Sequence, residues 1–239
     1  MPGDASLIPT SNVLLAIPAR GGSKRLPRKN LALINGKPMI AYTIEAALES
    51  GLSDSVYVCT EDDEIARVSR EWGAKVFQIP QSMTEDDVSS TVPCLVLYDS
   101  LTEKSKQIDY IFNLQPTSPL RSSQDITESL ATLKAEDAHY LVSVTPIDPH
   151  YFHWAMVEKS DGWQMYFGTE FLKERIYLPD AFRPNGAIKL AVAGRLKKTG
   201  NYFGAPLAVH EMPEHRSIHV ATEFDLICTQ AVLTAGNLG

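Results

Sequence analysis

A doubly wound α/β domain with a mostly parallel sheet is the fold class this sequence predicts, on three observations. Short apolar runs alternate with helix-period segments from Val13 to Pro146, the pattern of β-α-β units. The first apolar run ends in a glycine-containing basic loop, as a buried strand feeding a functional loop does. And 239 residues, 44% of them apolar and 21% charged, suit one soluble globular domain.

In chain order, residues 1–12 carry no periodic pattern and read as a flexible tail, and residues 13–239 form the domain. Val13 to Ile17 is a buried strand. "KPMIAYTIEAALES" sets Ile40, Ile44, Ala47 and Leu48 at helical spacing, with Pro38 in the first turn. "SVYVCT" is a second strand, "DDEIARVSREWG" a helix closed by Gly73, and "AKVFQI" a short strand. After the acidic, turn-like "QSMTEDD", residues Ser89 to Leu101 place Val92, Leu95, Val96 and Leu101 in a helical pattern. "DYIFNLQ" is strand, "SQDITESLATLKAE" helix and "YLVSVTP" strand. From about 146 to 183 prolines, histidines and aromatics cluster without a period, which marks an excursion of hairpins projecting from the sheet. "NGAIKLAVAG" and "PLAVHEM" restore strands, and a last helix runs from Thr222 to Leu233. Right-handed crossovers place the loops that follow the strands along one edge.

Composition narrows the partners. A net charge of −7 argues against a protein that coats nucleic acid, which needs a broad basic face. No apolar run approaches the roughly 20 residues that span a bilayer, and the leader has neither the basic nor the long apolar region of a secretory signal. Three widely spaced cysteines without a C-x-x-C pair argue against a disulfide framework or a zinc ribbon and fit a reducing cytoplasm.

Against this acidic background, "IPARGGSKRLPRKN" carries Arg20, Lys24, Arg25, Arg28 and Lys29 within ten residues. The dinucleotide pattern G-x-G-x-x-G and the P-loop pattern G-x-x-x-x-G-K-[ST] both fail, since only Gly21 and Gly22 are present. A strand end, two glycines that let backbone N–H groups approach a ligand, and cations at several offsets suit a triphosphate. Taken alone, such a Lys/Arg-rich run reads first as a solvated charge run. Its place at the end of the first strand, where doubly wound sheets put ligands, makes a phosphate site an equal reading.

With "IPARGGSKRLPRKN", "LQPTSPLR" and "AFRPNGAI" in this order, the sequence resembles the acylneuraminate cytidylyltransferases, from about Val13 to the last helix. The resemblance implies a Rossmann-like fold of the nucleotide-diphospho-sugar transferase type, with the excursion serving dimerisation of a homodimer. It implies transfer of CMP from CTP to the anomeric hydroxyl of a sialic-acid-like 2-keto sugar acid, with loss of pyrophosphate and help from magnesium. By match to the family, Arg20, Ser23, Lys29, Asn30 and Ser90 are nucleotide-binding. Gln115, Arg183 and Asn185 face the sugar, and Lys29 and Arg175 are catalytic. The chemistry agrees: guanidinium groups grip the acceptor's carboxylate in a bidentate fashion, and in-line attack on an α-phosphate needs positioning and charge neutralisation more than a strong base.

Two departures qualify that expectation. Relatives carry an Asp-x-Asp pair before the final helix that holds magnesium, whereas here His219 and Ala221 stand in those positions. Ile79 occupies a position where relatives carry an arginine. The missing aspartates also admit a catalytically impaired nucleotide- or sugar-binding homologue. The pairs His215 with His219 and His150 with His153 lack the H-E-x-x-H context, and strand residues around His219 would not hold a common metal at that spacing. Tyr151, Phe152, Trp154, Trp163, Tyr166 and Phe167 read as a subunit interface or local core rather than a sugar platform.

Overall fold

The computed structural model describes residues 12–148, 150–174 and 177–236. The expected tail, apart from Asn12, lies outside them. The elements are β1 (Val13–Pro18), β2 (Leu33–Ile34), β3 (Lys37–Pro38), α1 (Met39–Glu49), β4 (Val56–Thr60), α2 (Asp63–Glu71) and β5 (Lys75–Gln78), followed by α3 (Thr91–Thr102), β6 (Tyr110–Asn113), α4 (Ser123–Ala135) and β7 (Tyr140–Ile147). The remainder comprises α5 (His150–His153), β8 (Met156–Lys159), β9 (Gly162–Met165), β10 (Ala181–Val192), α6 (Ala193–Thr199), β11 (Leu207–Glu211) and α7 (Glu223–Ala235).

β1 is apolar and buried on both faces, the condition of a central parallel strand. It pairs in parallel with β4 on one side and β6 on the other, within a seven-stranded sheet ordered β11-β7-β10-β6-β1-β4-β5. Alternate residues serve opposite layers. Leu15 and Ile17 pack with Ile40, Ile65 and Ile126 from α1, α2 and α4, while Leu14 and Ala16 pack with Leu97 and Leu196 from α3 and α6.

β10 is the one strand of this sheet that runs against its neighbours, antiparallel to both β6 and β7. The chain leaves β7 at the carboxyl edge, makes the excursion, and re-enters at that same edge. This sets Arg183 opposite Thr145 and Lys189 opposite Asn113, with an irregularity between Pro184 and Lys189. Gly186 lies there at φ +77, a backbone conformation costly for residues with a Cβ. The strand read as "NGAIKLAVAG" ends early, because Ala193 begins α6. Within the excursion, β8 and β9 pair only with each other, and the His150 ring stacks on Trp154 with centroids 4.6 Å apart.

One buried carboxylate ties the layers together. Asp125 closes the capping box of α4 with Ser122, whose N–H donates to Oδ2 at 2.7 Å. Arg216 donates to both of its oxygens, at 2.5 and 3.1 Å, and His210 Nε2 lies 3.2 Å from Oδ1. Burial alone would push this carboxyl up; the bonds from His210, Arg216 and Ser122 outweigh it and hold the group well below the usual carboxylate range. Asp125→Asn should therefore lower stability by about 3 kcal/mol, the scale of a broken buried charge pair, read from the denaturant midpoint. The depressed folded-state value means Asp125 contributes fully above pH ~4 and loses its contribution as pH falls below that. The variant should accordingly show a flatter acid limb of stability than the parent.

Candidate active site

The chain leaves β1 through α1 toward β4, while β6 lies on the opposite flank, so the carboxyl ends of β1 and β6 mark the switch point where such sheets bind ligands. A cleft of about 260 Å³ opens there, lined among others by Ala19, Arg20, Ser23, Lys29, Asn30, Ser90 and Gln115. Six residues singled out in the sequence thus line one cavity.

The basic loop is held by acids rather than left in solvent. Arg28 sits at φ 54 and donates to both oxygens of Asp62, at 2.5 and 3.1 Å, and to Glu64. Asp62 meanwhile caps α2 by accepting from the Ile65 N–H at 2.8 Å. The Gly21 N–H donates to Glu61 Oε1 at 2.7 Å, and a Cβ at Gly21 would come within 2.5 Å of Asp62 Oδ2. Asn30 is buried and donates its amide to the Arg20 carbonyl at 2.9 Å, fixing the backbone of the loop. Arg20 reaches the Thr84 carbonyl and Asp86, which also pairs with Lys24. The acidic segment after β5 therefore folds against the cations at the cleft mouth. Lys29 differs, its ammonium having no hydrogen bond or ion pair among the described residues. Burial, then Arg25 and Arg20, push its ammonium below the usual lysine value against the pull of Asp225.

The cleft's other side includes Gln115, Pro116 and Thr117, and β6, β10 and the segment before α7 stand behind them. Asn113 donates to the carbonyl and hydroxyl of Ser90, both at 3.1 Å, and so seats Ser90 at the start of α3. Arg121, buried, donates to the carbonyls of Ala187 at 2.7 Å and Gln115 at 3.3 Å, clamping β10 to the loop after β6. Burial pushes it down to about 10, with Asp125 opposing. Asn185 is also buried and all its polar positions are engaged: Oδ1 accepts from Ser143 and the Ala187 N–H, and the amide donates to Met212 and Ser217. It builds the wall from behind. Arg183 is exposed and outside the cleft lining, and Arg175 lies outside the described residues.

His219 lies in an irregular segment, not the strand its neighbours suggest, because the Val220 N–H is spent on the Thr117 carbonyl at 2.8 Å. Its Nδ1 is 3.3 Å from Thr117 Oγ1, and a Cβ at Gly186 would meet the same nitrogen at 3.3 Å. Burial and then Lys29 hold the imidazole below its ordinary value, so it is neutral at pH 7. These residues do not fit a protein-held magnesium ion. Among the described residues no three or more His, Cys, Asp or Glu gather for a metal. Ala221 offers a methyl group, and Asp225 Oδ2 accepts from the Ala221 and Thr222 N–H groups and the Thr222 hydroxyl to cap α7. Ile79 lines the cleft as an apolar surface where the family pattern has a cation.

Sequence reasoning missed Asn113, Arg121 and Asp86, whose roles depend on partners 23, 66 and 66 positions away. It also passed over Lys189, although a lysine amid "GAIKLAV" breaks an otherwise apolar strand and was a signal in plain view.

Fold and site together define a doubly wound α/β protein with a cation-rich loop lining a cleft at its switch point. The family model described as Cytidylyltransferase matches residues 14–153. The chain is 30% identical over 238 residues to N-acylneuraminate cytidylyltransferase A of Danio rerio, covering 92% of this chain and 51% of that protein. It is 33% identical over 232 residues to CMP-N,N'-diacetyllegionaminic acid synthase of Legionella pneumophila, covering 92% of this chain and 96% of that one. Among solved structures, CMP:2-keto-3-deoxy-manno-octonic acid synthetase complexed with CTP superposes with TM-score 0.72 at 19% identity, over 94% of this chain and 99% of that chain. The chain belongs to the cytidylyltransferase family, as its three motifs led us to expect. It spans about half the length of the zebrafish relative and nearly all of the bacterial one.

Two outcomes follow for nucleotide binding. Asn30→Ala frees the Arg20 backbone and should weaken CTP binding by about tenfold, the scale of one or two hydrogen bonds, by calorimetry. Asp86→Asn releases Arg20 and Lys24 and should tighten CTP about two- to fivefold at low ionic strength, the range of an exposed ion pair. That gain should disappear in high salt.

Proposed function

We propose that this protein transfers CMP from CTP to the anomeric hydroxyl of a sialic-acid-like nonulosonic acid and releases pyrophosphate. The observation that carries the reading is the unpaired Lys29 in a cleft at the β1–β6 switch point, lined by residues of all but the third motif. The relatives named for neuraminate and legionaminate supply the acceptor class. On this reading the amides and cations of the 20–30 loop receive the triphosphate, with Lys29 over the α-phosphate. The acceptor hydroxyl attacks in line from the side of Gln115, its oxygen bonding to phosphorus as the bond to pyrophosphate breaks. The developing charge is met by fixed cations rather than by reorganised water.

The same reading includes a homodimer and a reducing cytoplasm. The excursion exposes Tyr151, Trp163, Tyr166 and Tyr177, an aromatic surface of the kind interfaces use. Cys59, Cys94 and Cys228 are free thiols. Among the described residues no helix is long and apolar enough to cross a membrane.

Pyrophosphate release should require both CTP and a 2-keto sugar acid, and release indifferent to the acid would count against the reading. Lys29→Met should cut kcat/KM about 10²–10³-fold, the loss typical of removing one transition-state charge donor, without loss of fold by circular dichroism. His219 and Ala221 favour a second reading, a homologue that binds nucleotide without turnover. The double variant His219→Asp/Ala221→Asp separates the two. It should gain Mn²⁺ binding by electron paramagnetic resonance, where the parent protein alone shows none; a gain of turnover from an inert parent would support the binding-only reading, and an already active parent would remove it.

A further inference from the structure

His219 reaches the cleft through a second side chain. Its Nδ1 lies 3.3 Å from Thr117 Oγ1, and the Thr117 hydroxyl donates in turn to Gln115 Oε1 at 3.4 Å. Thr117 and Gln115 both line the cleft. The backbone around His219 holds its ring against them. The Val220 N–H donates to the Thr117 carbonyl at 2.8 Å, and the Val220 side chain shares a buried cluster with Leu26 of the basic loop, Ile34 and Met39. A Cβ at Gly186 would lie 3.3 Å from Nδ1 and 3.8 Å from Gln115 Oε1, so glycine leaves room for the contact. Gln115 Oε1 is thus engaged, while its amide nitrogen has no partner among the described residues.

The order of donors follows from counting hydrogens. A threonine hydroxyl carries one, and Thr117 gives it to Gln115. Its contact with His219 is then filled from the other side, so Nδ1 is the ring nitrogen that carries hydrogen. Burial holds the imidazole below its ordinary value and keeps it neutral, which leaves Nε2 bare. We infer that His219 is a positioning residue: by way of Thr117 it fixes the Gln115 carboxamide with its N–H groups free to meet an oxygen of the acceptor sugar acid. The assignment rests on the proposed transferase reading. Run in reverse, the chain would set the amide nitrogen against Thr117 and leave the Gln115 carbonyl, an acceptor, to face an anionic substrate. An ionised aspartate at 219 has no hydrogen to give and would favour that reversed order. The histidine therefore changes what the pocket offers a ligand, and not only what it offers a metal.

The test joins a spectroscopic readout to kinetics. In protein carrying ¹⁵N-labelled histidine, the His219 signals, identified by their loss in His219→Asn, should show the Nδ1–H tautomer, and Thr117→Val should shift it toward Nε2–H. Kinetics use CTP with N-acetylneuraminate or N,N'-diacetyllegionaminate, whichever the parent turns over faster. His219→Leu and Thr117→Val should each raise KM for the sugar acid about fivefold, the scale of one hydrogen bond, and leave KM for CTP unchanged. The double variant should lose no more than either single one. His219→Asn, whose amide can donate in place of Nδ1, should stay within about twofold of the parent. A packing role would make the two losses multiply and would gain nothing from asparagine. An Nε2–H tautomer in the parent, multiplying losses, no rescue by asparagine or an equal rise in KM for CTP overturns the inference. If His219→Leu melts well below the parent, Thr117→Val set against Thr117→Ser, which keeps the hydroxyl, carries the same comparison. A parent inert toward every 2-keto sugar acid removes the transferase reading and this role with it, whatever the tautomer.

Discussion

Everything at this site depends on how five like charges within ten residues are kept in one ordered loop. Left in water they would repel and spread. The chain resolves this by dividing them. Arg28 turns back onto Asp62 and Glu64, Arg20 and Lys24 turn forward onto Asp86, Arg25 stays exposed to solvent, and Lys29 lines the cleft with no acidic partner among the described residues. The clamp at Asp62 also caps α2, so the sheet and the loop share an anchor. The loop is pre-ordered before any anion binds, and little ordering entropy remains to oppose the ligand.

The opposite wall is built on a different principle. Its charged groups are turned inward to hold backbone rather than outward to meet ligand. Arg121 joins two carbonyls, Asn185 braces four partners, and Asp125 with Arg216 pins the segment that carries His219. Such a wall is rigid and mostly neutral at its surface. The reversal of β10 sets Arg183 opposite Thr145 and Lys189 opposite Asn113, since a strand inserted there in parallel would have presented other residues to β6.

Much of this was legible in the sequence. Apolar runs and helical patterns located the strands and helices up to β7 except the two-residue β2 and β3, the latter taking Pro38, which the pattern had put in the first turn of α1. The loop of residues 17–30 announced itself by charge against an acidic chain, and three ordered motifs led to the family. The metal position was also legible as a discrepancy, His219 and Ala221 in place of two carboxylates. Less legible were the end of β10 at Ala193 and the path around His219, where one backbone bond to Thr117 overrides the local preference for a strand.

The sequence by itself determined the α/β class, the basic loop and six residues that line the cleft, since these rest on patterns within a few dozen residues. Only the tertiary structure decided which cations are neutralised and which are left to act, that Asn185 supports the pocket instead of entering it, and that Lys189 stands beside Asn113. Pairings across 76 positions, as between Asn113 and Lys189, arise from strand order and direction. Those are chosen by the burial of the whole sheet, and no short stretch of chain encodes them.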